Sequence, residues 1–183
     1  MRATCTLAAS TLGALAAVTI GSPATGPILG THGVARVEIG AAKSKAVAEL
    51  SQLFGRPSAT GVNTGCGPRY SEVEWGDLVA EFRRSRFSGF RYVKGGYPLT
   101  TSGSPHEASA LRAALLPKLA TSRGITLGST LGQLRKAYPA LRFVGTDRWQ
   151  SPDGLVFVDD AKPIAKPRLR HIIEIKLGTC GDF

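Results

Sequence analysis

Catalysis and metal binding need particular side chains at particular spacings, and this 183-residue chain offers few candidates. Its three histidines, His32, His106 and His171, stand far apart, and none has a second ligand at the short spacing a zinc site uses. Gly128-Ser129-Thr130-Leu131-Gly132 has the strand-before, helix-after setting of a nucleophile elbow, but that motif wants serine where Thr130 stands. Asp153, Asp159 and Asp160 lack the alternating ligands, glycine and distant glutamate of a calcium loop. What is left for hydrolysis is Thr130, Asp159 and His171, which define the alternative reading of a small extracellular hydrolase with an active site of scattered residues. The leading expectation is no catalytic residue, no metal site and no cofactor.

The run Arg83-Arg84-Ser85-Arg86-Phe87-Ser88-Gly89-Phe90-Arg91-Tyr92 interleaves cations with aromatics, as a nucleic-acid surface does when it stacks bases and holds phosphates. The RNA-recognition strand consensus requires glycine where Phe87 stands, so specific nucleic-acid binding is not expected. Strand alternation instead puts Phe90 and Tyr92 in the core and leaves Arg91 and the turn arginines facing water. Arg83, Arg84, Arg86, Arg91 and Lys94 form the candidate binding patch. A second basic stretch, residues 162–170, mixes prolines with cations and reads as an exposed hairpin loop.

Residues 1–24 carry the marks of a cleaved secretory signal: Arg2 at the start, no further Lys, Arg, Asp or Glu until Arg36, and the small residues Gly21, Ser22 and Ala24 around Pro23. The segment has too few bulky apolar residues for a retained span, and no second apolar span follows. The expected location is secreted, extracellular or associated with the cell envelope. Loss of Cys5 with the leader would leave Cys66 and Cys180, so one intramolecular disulfide is possible, and an oxidising exterior permits it. Each cysteine sits in a glycine-flanked loop, Thr64-Gly65-Cys66-Gly67 and Gly178-Thr179-Cys180-Gly181. Closing a loop of that length removes denatured-state entropy worth roughly 4–5 kcal/mol.

Without the leader, 22 Lys and Arg face 13 acids, a formal charge of +9. Residues 25–82 carry −1, residues 83–123 carry +7 and residues 124–183 carry +3. A positive field so localised favours an acidic protein or an anionic envelope polymer as partner.

The elements that would position these groups come in a repeated order. Residues 37–40 lead into a helix with Ala46, Val47, Leu50, Leu53 and Phe54 at helical spacing, stopped by Gly55 and Pro57. Eighty-eight residues further on, Ile125-Thr126-Leu127-Gly128 leads into Leu131, Leu134 and Tyr138 before Pro139, with Thr130 and Gln133 spaced as a capping box. Strands are expected over 72–75, 78–83 and 87–93 after the first helix. After the second they are expected over 141–145, 148–150, 155–159 and 171–177. Between the two sets, Ser104-Pro105-His106-Glu107 starts a third helix carrying Leu111, Leu115 and Leu116, which Pro117 ends.

The expected class is α+β, two similar units each a helix packed on an antiparallel three- to four-stranded meander. Its divisions are 1–24 signal peptide, 25–93 first unit, 94–123 linker with a short helix and 124–183 second unit. With its two glycine-ended helix lead-ins, Ile39-Gly40 and Ile125-Thr126-Leu127-Gly128, the strand sets and the loop cysteines, the chain resembles small exported proteins of actinobacterial type. It also resembles the tandem helix-plus-sheet fold of beta-lactamase inhibitory proteins and small outer-membrane assembly lipoproteins. The resemblance covers residues 34–183 and implies a non-enzymatic module that binds another protein across a concave sheet face. The cysteine plan departs from the inhibitory proteins, with one possible bridge between units instead of one inside each, so beta-lactamase inhibition is not carried over. The expected function is a secreted, non-enzymatic binding module that contacts a protein or an anionic envelope polymer through a sheet face and the basic patch.

Overall fold

Apolar residues recurring every three or four positions wind two helices, α1 (Lys43–Phe54) and α2 (Leu131–Ala137), in the computed structural model of the chain. The structure describes residues 28–64, 69–95, 117–161 and 167–178. The leader, Cys66, Cys180, the helix expected after Ser104 and residues 162–166 of the second basic stretch lie outside the described residues.

Strands dominate the rest. A small sheet holds β1 (Ile28–Gly30), β2 (Gly33–Val34), β3 (Val37–Glu38) and β8 (Ala120–Thr121) in the order β3-β2-β1-β8. The large sheet is built from β4 (Ala59–Asn63), β5 (Tyr70–Trp75), β6 (Leu78–Arg83), β7 (Arg86–Val93), β9 (Arg142–Gly145), β10 (Arg148–Gln150), β11 (Val156–Asp159) and β12 (Ile172–Leu177). Its order is β4-β5-β6-β7-β12-β11-β10-β9, antiparallel throughout, with β7 against β12 at the centre. The chain is α+β, with two sheets and two α-helices among the described residues. None of those helices is long and apolar enough to cross a membrane.

One face of the large sheet carries Val73, Trp75, Leu78, Ala80, Phe82, Phe90, Tyr92, Phe157 and Ile175, which share a core with Ala46, Leu50 and Phe54 of α1 and Leu131 and Leu134 of α2. The Trp75 indole N–H donates to the Gly55 carbonyl, 3.0 Å away, which ties the end of α1 to the sheet. A bulge between Glu81 and Phe82 adds one residue to β7 and keeps Phe87 on the core face, where its ring centre lies 5.8 Å from that of Phe82. Gly89 sits where β7 passes closest to the end of β12, and a Cβ there would collide with the Leu177 carbonyl oxygen.

Both helices start on the same set of backbone bonds. Gly40 N–H donates to Phe87 O, Phe87 N–H to Ala41 O and Lys43 N–H to Ser85 O; Gly128 N–H donates to Ile172 O, Ile172 N–H to Ser129 O and Leu131 N–H to Arg170 O. Gly40 and Gly128 take φ of 91° and 84°, the left-handed backbone that glycine adopts without a steric cost.

Two expectations change. β4 precedes the three strands expected after α1; its sequence, Ala-Thr-Gly-Val-Asn, lacks the bulky alternation that marks a strand. The second face of the large sheet, expected to meet water, buries Glu72, Glu74, Val79, Glu81, Arg91 and Lys176.

Candidate binding surface

The five cations of the basic patch begin at the β6–β7 turn. Arg83 and Arg86 are paired across the hairpin, so Arg84 and Ser85 alone close it, with φ of 48° and 59°. Both positive angles are what a two-residue hairpin needs to match strand twist, and Asn-Gly is the usual occupant. Placing L-residues there costs about 1 kcal/mol or more each, and arginines directly opposite one another add repulsion.

The strained turn is nonetheless held firmly. Ser85 O accepts from Lys43 N–H at 2.8 Å, and the Arg86 guanidinium donates to Gly40 O at 2.8 Å. Arg83 lies over the Tyr70 ring, 5.6 Å from its centre. Arg84 and Arg86 are exposed. The tip is therefore a pair of exposed guanidiniums on a backbone fixed against the start of α1, where Lys43 and Lys45 add charge. Lys43 also reaches back to Ser71 Oγ at 2.9 Å.

Arg91 is not part of this surface, which corrects the expectation that it faces water. It is 8% exposed, on the second face of the sheet, with its guanidinium ion-paired to Glu72 and with Nε 3.0 Å from Glu81 Oε1. Glu72 and Glu81 are directly opposed across β5 and β6, and like charges so placed repel unless a cation lies between them. Arg91 supplies it. Strand alternation finds the side of the sheet a residue points to, but it does not find whether that side is wet.

Lys94 is separated as well. It is eight residues beyond Arg86 along the strand direction, roughly 26 Å at 3.3 Å per residue. There it borders a cleft of about 780 Å³, open mouth included, walled by Phe54, Trp75, Leu78, Tyr92 and Leu119. The Tyr92 hydroxyl accepts from Leu119 N–H at 3.4 Å, and burial pushes its pKa above the ordinary tyrosine value. Of the five patch residues, the fold gathers Arg83, Arg84 and Arg86 at one tip and disperses Arg91 and Lys94.

Thr130, Asp159 and His171 are each engaged in local contacts. Thr130 and His171 are bridge partners, so the fold brings them close. The Thr130 hydroxyl, however, belongs to the capping box with Gln133. Asp159 Oδ2 accepts from the Trp149 indole, and Oδ1 accepts from Ala161 N–H and lies 3.7 Å from the Arg170 guanidinium. His171 Nδ1 lies 3.9 Å from Asp160 Oδ2, beyond hydrogen-bond reach. Among the described residues, no group of three or more His, Cys, Asp or Glu is placed to hold a metal ion.

The sequence reading missed one exposed feature. β9, the end strand of the large sheet, leaves Phe143 58% and Val144 50% exposed. Their adjacency in a run with no buried position is a signal that alternation analysis passes over.

Comparison of the chain with protein-family models, with characterised proteins and with solved structures finds no match in any of the three.

Proposed function

We propose that this chain is an exported, non-enzymatic binding module whose β6–β7 tip docks an anionic envelope polymer. The observation that carries the reading is the turn itself. Arg84 and Ser85 occupy left-handed positions that Asn-Gly would fill at less cost, and three arginines crowd within four residues. Strain of this kind persists where function needs it. Anchoring to Gly40 and Lys43 fixes the turn backbone and the Arg86 guanidinium before a ligand arrives, which lowers the entropy cost of binding, and the planar fork of arginine suits phosphate and carboxylate groups.

Two similar units belong to the same proposal. Supporting it are the bond set shared by the two helix starts and the register at the sheet centre, where Phe90 faces Leu177 and Tyr92 faces Ile175. If Phe87 corresponds to Ile172, those pairs exchange under a two-fold rotation. Export rests on the leader pattern, and the Cys66–Cys180 bridge rests on cysteine parity.

Binding of soluble polyphosphate and of polyglutamate, followed at low and moderate salt, tests the reading. Arg84→Glu with Arg86→Glu is expected to weaken both about tenfold or more, while Lys94→Glu at the other end of β7 leaves them within about twofold. Arg84→Asn with Ser85→Gly is expected to raise stability by about 1 kcal/mol while weakening the same binding, because the turn relaxes as the cation is lost. Equal losses from Lys94→Glu and from the tip reversals would show general charge attraction in place of a site. Undiminished binding after the tip reversal, with an acidic protein partner found instead, would also overturn the polymer reading.

A further inference from the structure

The end strand β9 carries an apolar surface that the fold does not use. Arg142, Phe143 and Val144 are all exposed, so the strand buries neither of its faces, and no strand lies beyond it among the described residues. End strands present unpaired backbone groups, and proteins commonly guard them with charge, proline, bulges or extreme shortness. Here the register with β10 skips Val144 in such a bulge, yet Phe143 and Val144 both stand exposed beside it.

Each face has a definite chemistry. On one, Phe143 packs against Trp149 of β10 with ring centres 4.8 Å apart, and the Arg135 guanidinium from α2 lies 4.6 Å from the Trp149 ring centre. On the other, Arg142 stands across from Gln150. Residues 131–150 hold Arg135, Lys136, Arg142 and Arg148 against the single acid Asp147. The edge therefore combines an aromatic shelf with a positive field.

We propose that β9 receives an extended, acidic peptide segment of a partner protein, which adds to the large sheet as a ninth strand. Backbone hydrogen bonds along the edge supply the affinity, and the alternate side chains supply the specificity. An apolar side chain opposite Phe143 extends the shelf, and the neighbouring residue, on the other face, places a carboxylate beside Arg142. Charge complementarity favours this occupant over a second copy of the chain. Two antiparallel β9 strands would set Phe143 against Phe143, but they would also bring the cations of both copies together. This interface is separate from the β6–β7 tip and stands or falls independently of the polymer reading.

The probe is a synthetic peptide of about eight residues alternating glutamate with valine, long enough to cover a strand of ordinary length. Binding is read by tryptophan fluorescence, which reports Trp149 because Trp75 is 1% exposed, and by backbone amide exchange. The peptide is expected to slow exchange at residues 142–145, and Phe143→Lys and Arg142→Glu are each expected to weaken binding about tenfold. The exposed Arg56→Glu should leave it unchanged. Both test positions are exposed, and an unchanged far-ultraviolet circular dichroism spectrum confirms that each variant is folded. A peptide with a central proline should fail, because proline breaks the ladder of donors. The proposal is overturned by equal binding of the proline peptide, by undiminished binding to Phe143→Lys, or by protection appearing at another edge. It is also overturned if residues 142–145 become protected with protein concentration alone, which would make a second copy the occupant.

Discussion

Helix α1 starts at Ala42 with no side-chain cap, whereas α2 starts at Thr130, whose hydroxyl accepts from Gln133 N–H while the Gln133 amide accepts from Thr130 N–H. Both starts receive the same tertiary bonds from a neighbouring strand. The difference follows length. α1 has 12 residues and buries Ala46, Leu50 and Phe54, so packing outweighs the nucleation cost. α2 has seven residues and buries Leu131 and Leu134, so local satisfaction of its first amides matters more. The sheet halves beside them differ in the same sense. β5, β6 and β7 enclose Glu72, Glu81 and Arg91 in a buried charge cluster, whereas β9 ends the other half with its side chains in water. Each half is held by pairing between consecutive strands and by long-range bonds at its helix start, so the two differ in what their outer strands expose.

The largest test of that contrast is Arg91→Met. Removing the cation leaves Glu72 and Glu81 buried against each other, and a loss of about 3–5 kcal/mol is expected in urea unfolding. Arg84→Met, on the exposed tip of the same hairpin, should move stability by no more than about 0.5 kcal/mol. Similar small effects from both would break the distinction between a structural arginine and a displayed one.

Thr130→Ala comes next, with an expected cost of about 1 kcal/mol and faster amide exchange in the first turn of α2 but not of α1. If both helices respond alike, the cap is not what separates them.

The smallest effect is shared by the halves. Tyr92 in β7 and Tyr138 after α2 both have pKa values raised, chiefly by burial. The native state then keeps the phenol proton where the unfolded chain has lost it. This contribution to stability is present in full below about pH 10 and is lost as pH rises through the native values. Phenolate absorbance should show two late-ionising tyrosines, with stability falling over the same alkaline range. Ordinary ionisation of either would place that half's core in contact with water.

Much of this architecture can be read along the chain. The apolar spacing over Ala46, Leu50 and Phe54 and the Thr130–Gln133 pair locate both helices within a few residues, because helix signals repeat within a turn or two. Leu78–Arg83 and Arg148–Gln150 are strands where alternation and turn residues place them. β4 and the short strands β1–β3 carry no such pattern, since their pairing comes from neighbours already in place. For the candidate surface, composition locates the charge and tertiary structure sorts it.

The basic run at 83–94 is where that division is sharpest. Sequence by itself determined that its cations alternate with core aromatics and that a turn falls between Arg83 and Phe87. Only the tertiary structure decided that Arg84 and Arg86 are displayed together, that Arg91 is ion-paired between two glutamates and that Lys94 stands at the far end of the strand. Periodicity gives the direction of a side chain relative to its own strand, but its surroundings depend on which residues distant in sequence fold against it.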